Sequence, residues 1–184
     1  MSYIVNPEFF IKVFTERGYE ITDFNIVGWR ERYSRPDQFG DSISVYQKIP
    51  GGGWIGDEWI ATTRPGIPYL LKPVNPHGTA ILVPGQYIEA YELGLYKGYT
   101  ALRQVEKVRV YRDKDGDSAF DESPKTIETG LFGIHIHRAS LANRVVGMSS
   151  AGCQVFKYRS DYEEFIEMCR SSRKKRFTYT LIEL

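Results

Sequence analysis

From Tyr19 to Arg112 the chain runs through short β-branched and aromatic stretches that are cut before any reaches helical length. Ile43-Ser44-Val45-Tyr46, Trp59-Ile60-Ala61-Thr62, Ala80-Ile81-Leu82-Val83 and Val108-Arg109-Val110-Tyr111 are separated by Gly, Pro, Asn and Asp. Side chains branched at Cβ suit a pleated surface, and those four separators turn the backbone, so this half of the chain has to fold as sheet. The fold class predicted is mainly β with flanking helices (α+β), the strands forming a sandwich or barrel. Asn6 is placed as an N-cap with Pro7 at the first helical position, and Phe9, Phe10, Val13 and Phe14 form an apolar stripe before Gly18 ends that helix. Ser160 with Glu163 reads as a capping box for a second helix to Arg170, and Phe177 to Leu184 reads as a terminal strand.

With 184 residues the chain can bury one substantial core, so a single domain 1–184 is expected, with 1–40 as an N-terminal helix and strand and 41–184 as the main body. The 24 basic residues nearly match the 23 acidic ones, which argues against a nucleic-acid partner. No apolar run is long enough to span a bilayer, and the first residues carry no secretory pattern, so the expectation is a monomer made in the cytoplasm without membrane insertion. Two cysteines are too few for a disulfide framework.

The chemistry concentrates in Gly133-Ile134-His135-Ile136-His137-Arg138 and in Ser149-Ser150-Ala151-Gly152-Cys153. A thiol attacks as its thiolate and needs a base, and two histidines two positions apart on a strand present their rings to the same face. Ala151 and Gly152 let the backbone turn tightly, so that amide N–H groups beside Cys153 can converge on an oxyanion. If the two segments meet, Cys153 is a candidate nucleophile and His135 or His137 its base.

At these residues the chain resembles the catalytic domain of the L,D-transpeptidases, the YkuD-like fold, whose signature is a histidine after a short apolar run followed by Ser/Thr-x-Gly-Cys. Ile136-His137 and Ser150-Ala151-Gly152-Cys153 match the two halves, sixteen positions apart from His137 to Cys153. Ala61-Thr62-Thr63-Arg64-Pro65-Gly66 is similar to the Thr-Pro-x-Gly turn that precedes the histidine region in that family. The resemblance spans about Ser42 to Phe156, and its implied fold is a β-sandwich or barrel with an N-terminal helix and a helix after the cysteine. The chain departs from the family pattern at Ala151, where a histidine or lysine is common, and at Val155, where an arginine or asparagine often stands. The wider texture, including Phe24 to Arg30 and Phe177 to Leu181, resembles compact bacteriophage-borne relatives.

The resemblance implies a cysteine peptidase acting on the peptide stem of bacterial peptidoglycan at the cell wall, without a cofactor. In that reading Cys153 forms a thioester with His137 as base, His135, Gly152 and Ser150 support the pair, and Arg138, Arg144 and Gln154 bind substrate. Hydrolysis in the manner of a phage endolysin, transpeptidation, and a non-catalytic wall-binding or virion module all stay open. A zinc site at His135, His137 and Cys153 is disfavoured because no CxxC or HExxH accompanies them. Asp113-Lys114-Asp115-Gly116-Asp117 is similar to the start of a calcium loop but has its glycine in the fourth place and Pro124 where the closing glutamate belongs. Cys169 falls on the apolar face of the second helix and reads as core, His77 as exposed in a turn, and Arg173-Lys174-Lys175-Arg176 as a solvated connector.

Overall fold

The alternating runs between the turns pair into a sheet that closes on itself. The computed structural model describes residues 3, 4, 6–140 and 144–184. Its strands are β1 (Tyr3–Ile4), β2 (Phe24–Arg30), β3 (Asp41–Lys48), β4 (Trp54–Thr62), β5 (Thr79–Leu82), β6 (Gly85–Tyr96), β7 (Tyr99–Gln104), β8 (Val108–Asp113), β9 (Glu128–Gly130), β10 (Ile136–Arg138), β11 (Gln154–Phe156) and β12 (Phe177–Glu183). The helices are α1 (Pro7–Arg17), α2 (Ile67–Leu71) and α3 (Arg159–Ser171). Among the described residues no helix is long and apolar enough to cross a membrane.

The large sheet runs β4-β11-β10-β7-β6-β12-β2-β3, and β3 pairs back onto β4 from Asp41↔Ala61 to Lys48↔Trp54, giving a ring in which each strand has a neighbour on both sides. The barrel alternative is therefore the one realised, and closure removes the exposed strand edges that invite association. The outer edge of β4 is shared between β1 at Asp57 and Glu58 and β11 at Ala61 and Thr62. A smaller antiparallel sheet, β5-β8-β9, packs against the same core.

Alternation sends Ile26, Ile43, Val45, Trp59, Tyr91, Leu102, Ile136 and Phe156 into the main core, where α3 adds Phe165, Ile166 and Cys169. Each such side chain contributes about 1.5–3 kcal/mol by leaving water. On the opposite face Phe10 and Phe14 of α1 meet Val27, Trp29, Tyr46 and Ile182, with Phe10 stacked on Tyr46 at 4.3 Å. Of the expected stripe, Phe9 stays half exposed and leans on Trp29. The caps of α1 form as read: Asn6 Oδ1 accepts from the Glu8 N–H at 2.9 Å, and Gly18 closes the helix at φ +67°. The capping box does not form. α3 starts earlier, at Arg159 behind Tyr158, which leaves Ser160 inside the first turn bonded to Asp161, while Glu163 pairs with Arg159 at 2.6 Å.

One end of the barrel is plugged by charge. Arg30 is fully buried, and its Nε donates to Thr63 Oγ1 (2.9 Å), Nη1 to the Leu82 carbonyl (2.9 Å) and Nη2 to the Thr63 carbonyl (2.8 Å). Glu122 lies 3.5 Å from Arg30 and 2.8 Å from Arg64, and Asp41 accepts from both the N–H and the hydroxyl of Thr63. A guanidinium cut off from water has to find its partners inside the protein, so these bonds join β2, β4, β5 and the loop before β9. Arg30→Met removes that centre and leaves Glu122 and the Thr63 carbonyl short of a partner. The expected loss in urea unfolding is about 3–5 kcal/mol, and a loss under about 1 kcal/mol would show that the plug contributes little.

Candidate active site

The parallel pair β10–β11 sets Ile136 opposite Gln154, His137 opposite Val155 and Arg138 opposite Phe156. Side chains alternate, so His135, His137, Cys153 and Val155 share one face while Ile136 and Phe156 enter the core. The two segments singled out in the sequence thus meet side by side. The third motif arrives with β4, whose Ala61 and Thr62 pair with Phe156 and Val155. Just beyond, the Gly66 N–H donates to the Ser150 carbonyl at 2.9 Å. Asp37 ties the same corner together, its Oδ1 accepting from the backbone N–H of Gly147 (2.7 Å) and of Ile67 (3.2 Å).

Ser150 organises the cysteine turn. Its hydroxyl donates to the Cys153 carbonyl at 2.8 Å and accepts from the Gly152 N–H at 3.1 Å. The Gly152 amide is therefore engaged inside the turn and not directed at substrate, contrary to the expectation for that residue. Gly152 sits at φ +121°, and a Cβ there would collide with the Ala80 carbonyl. Gln154, expected at the substrate, is instead fully buried on the core face: its Oε1 accepts from the Tyr179 hydroxyl (2.9 Å) and its Nε2 donates to the Gly152 carbonyl (3.2 Å). Tyr179 reaches it across Gly28, where any Cβ would overlap the phenol oxygen.

Cys153 is 9 % exposed and its thiol donates to the Gly133 carbonyl at 3.4 Å. Burial pushes this thiol up to about 11, against the weaker pull of the His135 backbone and the Lys97 charge. His137 is 4 % exposed, and burial takes its imidazole down to about 4. Its Nδ1 lies 2.9 Å from the Arg138 carbonyl, which can only accept, so the proton resides on Nδ1. Nε2 keeps its lone pair and has no hydrogen-bond partner among the described residues. A neutral thiol and a neutral imidazole with an open acceptor therefore lie diagonally on adjacent strands. His135 is a poorer base, since its Nδ1 already accepts from the Gln104 N–H at 3.0 Å.

Over both rings lies the tip of the β6–β7 hairpin. Tyr96 has its ring 5.0 Å from each imidazole, and Lys97 and Gly98 make the turn at φ +47° and +84°, the left-handed pair of a two-residue hairpin. The Tyr99 hydroxyl stands 3.4 Å from His137 Nδ1, and the Arg138 guanidinium covers the Tyr99 ring at 4.3 Å. Tyr96, Lys97, Tyr99, His137, Arg138 and Met148 line a cavity of about 350 Å³. Comparison with protein-family models, curated proteins and solved structures finds no match.

Cys153 does not line this cavity, and the other candidates lie farther off. Arg144 is exposed and without an ion pair among the described residues, next to residues 141–143, which lie outside them. Cys169 is buried in the core, and exposed His77 pairs with Glu128 at 2.8 Å. Among the described residues no three acidic, histidine or cysteine side chains are arranged to hold a metal. Lys97 escaped the sequence reading, although Lys97-Gly98 between two tyrosines is itself a hairpin signal.

Both shifts have consequences in solution. Above pH 6.5 His137 is neutral whether the chain is folded or not. As pH falls towards about 4 the unfolded chain takes up a proton that the folded one refuses, so stability drops across that window and the term levels off below it. The term amounts to roughly 3 kcal/mol, and a His137→Gln protein is expected to show a correspondingly flatter loss in urea titrations from pH 7 to pH 4. Parallel curves would place the imidazole in water. Iodoacetamide should label Cys153 slowly at pH 7 and faster as pH climbs towards about 11, which intact-mass analysis reads directly.

Proposed function

We propose that the protein is a cysteine-dependent hydrolase of peptidoglycan stem peptides with an L,D-transpeptidase-like fold, acting at the bacterial cell wall in the manner of a phage endolysin. The observation that carries this reading is the buried Nε2 of His137, without a partner among the described residues and on the same sheet face as Cys153, its ring held by the Arg138 carbonyl. An imidazole with an open acceptor on the face that carries a thiol can take its proton once the thiol leaves the Gly133 carbonyl.

In the proposed reaction Cys153 Sγ attacks the amide carbonyl as its proton passes to His137 Nε2. The C–N bond breaks, the amine leaves with the proton from His137, and a thioester remains on Cys153. His137 then removes a proton from water, whose oxygen attacks the thioester, and the thiol recovers its proton as the acid departs. Since burial disfavours both ions, the transfer belongs to the step in which the carbonyl accepts the sulfur, not to a standing thiolate–imidazolium pair.

The same elevated thiol favours one rival, a wall-binding module that keeps the architecture without turnover. Purified muropeptides distinguish the readings. Wild type is expected to release D-alanine or shorten cross-links, while Cys153→Ser of unchanged melting temperature loses at least about a thousandfold in kcat/KM. Amine adducts in place of hydrolysed products would move the assignment to transpeptidation. An inert wild type that still sediments with cell walls would overturn catalysis in favour of binding.

A further inference from the structure

We infer that the loop from Asp113 to Asp121 is a calcium site, with the buried Asp113 carboxylate as its fixed ligand and Asp115, Asp117 and Asp121 closing on the ion from the exposed side. None of these residues lines the His137 cavity, and the site needs nothing of the hydrolase reading.

Just beyond this loop the acids are neutralised: Glu122 meets Arg30 and Arg64, and Glu128 meets Arg112 and His77. The four aspartates before Glu122 stand at 113, 115, 117 and 121, and none has a cation partner among the described residues. Lys114, the one basic residue among them, is exposed. Like charges gathered in so short a segment repel until a cation lies between them. Burial pushes the Asp113 carboxyl up to about 6 against the pull of the Asp121 N–H, and the charges of Asp115, Asp121 and Asp117 add to the rise.

A single atom separates this loop from an ordinary solvated one. Asp113 ends β8, where pairing with Thr79 fixes its backbone, and the residue is wholly buried. Its Oδ2 accepts the Asp121 N–H at 2.9 Å and so spans the neck of the loop. Its Oδ1 is buried at the same neck with no hydrogen-bond partner among the described residues. A carboxylate oxygen withdrawn from water without a donor is costly, and one that faces three further carboxylates is suited to a hard cation. Calcium gathers about six to eight oxygens from carboxylates, carbonyls and water in adaptable geometry, whereas magnesium demands a strict octahedron and zinc prefers the histidine and cysteine that this loop lacks. The Asp115 and Asp117 carboxylates accept from the N–H groups of Asp117 (3.1 Å) and Ala119 (2.6 Å), so three acids do not already meet at one point. Both residues are exposed and can turn to the ion without disturbing the core. Glu122 follows directly, so the bound ion fixes the segment that brings it to Arg30 and Arg64, and calcium stabilises the plugged end of the barrel.

The test titrates calcium chloride by calorimetry into the chelator-treated full chain, with magnesium chloride as the control, and reads melting temperatures in about 10 mM of each salt. Wild type is expected to bind one calcium with a Kd of about 1 mM or tighter and to melt at least about 3 °C higher in calcium than in magnesium. Asp115→Asn and Asp117→Asn alter only exposed side chains, so each should melt like wild type in chelator, bind calcium at least about tenfold more weakly and lose most of the rise. Asp113→Asn should abolish binding. The absence of saturable calcium binding, an equal rise in calcium and magnesium, or an affinity unchanged in either exposed variant overturns the site.

Discussion

A guanidinium withdrawn from water must meet acceptors on several sides, and Arg30 finds them on segments far apart in the chain. Thr63 uses its carbonyl and its hydroxyl, Leu82 its carbonyl, and Glu122 arrives from the acidic loop to serve Arg64 as well. Thr63 and Arg64 are also the residues through which β4 leaves the barrel and passes beneath the cysteine turn, where Gly66 bonds Ser150. The end of the barrel and the candidate site thus share one polar scaffold. Apolar residues at Arg30 and Glu122 could fill the volume, but they would not dictate the path from β4 to α2.

The second constraint is the parallel pairing of β10 with β11. Parallel neighbours cannot be joined by a tight hairpin, so a crossover has to link Arg138 to Gln154, and that crossover carries the Gly147–Ser149 3-10 turn and the Ser150-to-Cys153 turn. The nucleophile candidate therefore lies where a loop re-enters the sheet, beside a histidine fixed by its own strand. Burial keeps both groups neutral at rest. A site of this kind stores no ion pair. A neutral, buried thiol is also protected from casual alkylation and oxidation.

Much of this was legible in the sequence for a physical reason: strands, caps and turns are local. Asn6, Pro7 and Gly18 bound α1 where their backbone preferences put them, and the β-rich runs fall within β3, β4, β5 and β8, save Val83, which lies one residue beyond β5. The sequence leaves open whether the histidine strand meets the cysteine turn, and the register of β10 with β11 sets them side by side. What misled was face. Gln154 is next to the cysteine in sequence, and alternation alone sends it to the core, where Tyr179 awaits it. Lys97 was hidden for the opposite reason, because it reaches the site from a hairpin whose placement depends on the β7–β10 pair. Ser160 shows the limit of motif reading at a helix end, since a start two residues earlier turns a cap into a first-turn residue.

The hydrogen bonds from Tyr179 to Gln154 and from Gln154 to Gly152 tie the geometry of the cysteine turn to β12, which follows it in the chain. A chain halted before Phe177 would possess the thiol and both imidazoles, yet the glutamine beneath the turn would have no phenol to hold it. Competence is therefore expected to appear late and all at once in folding, when β12 inserts between β2 and β6 and closes the ring.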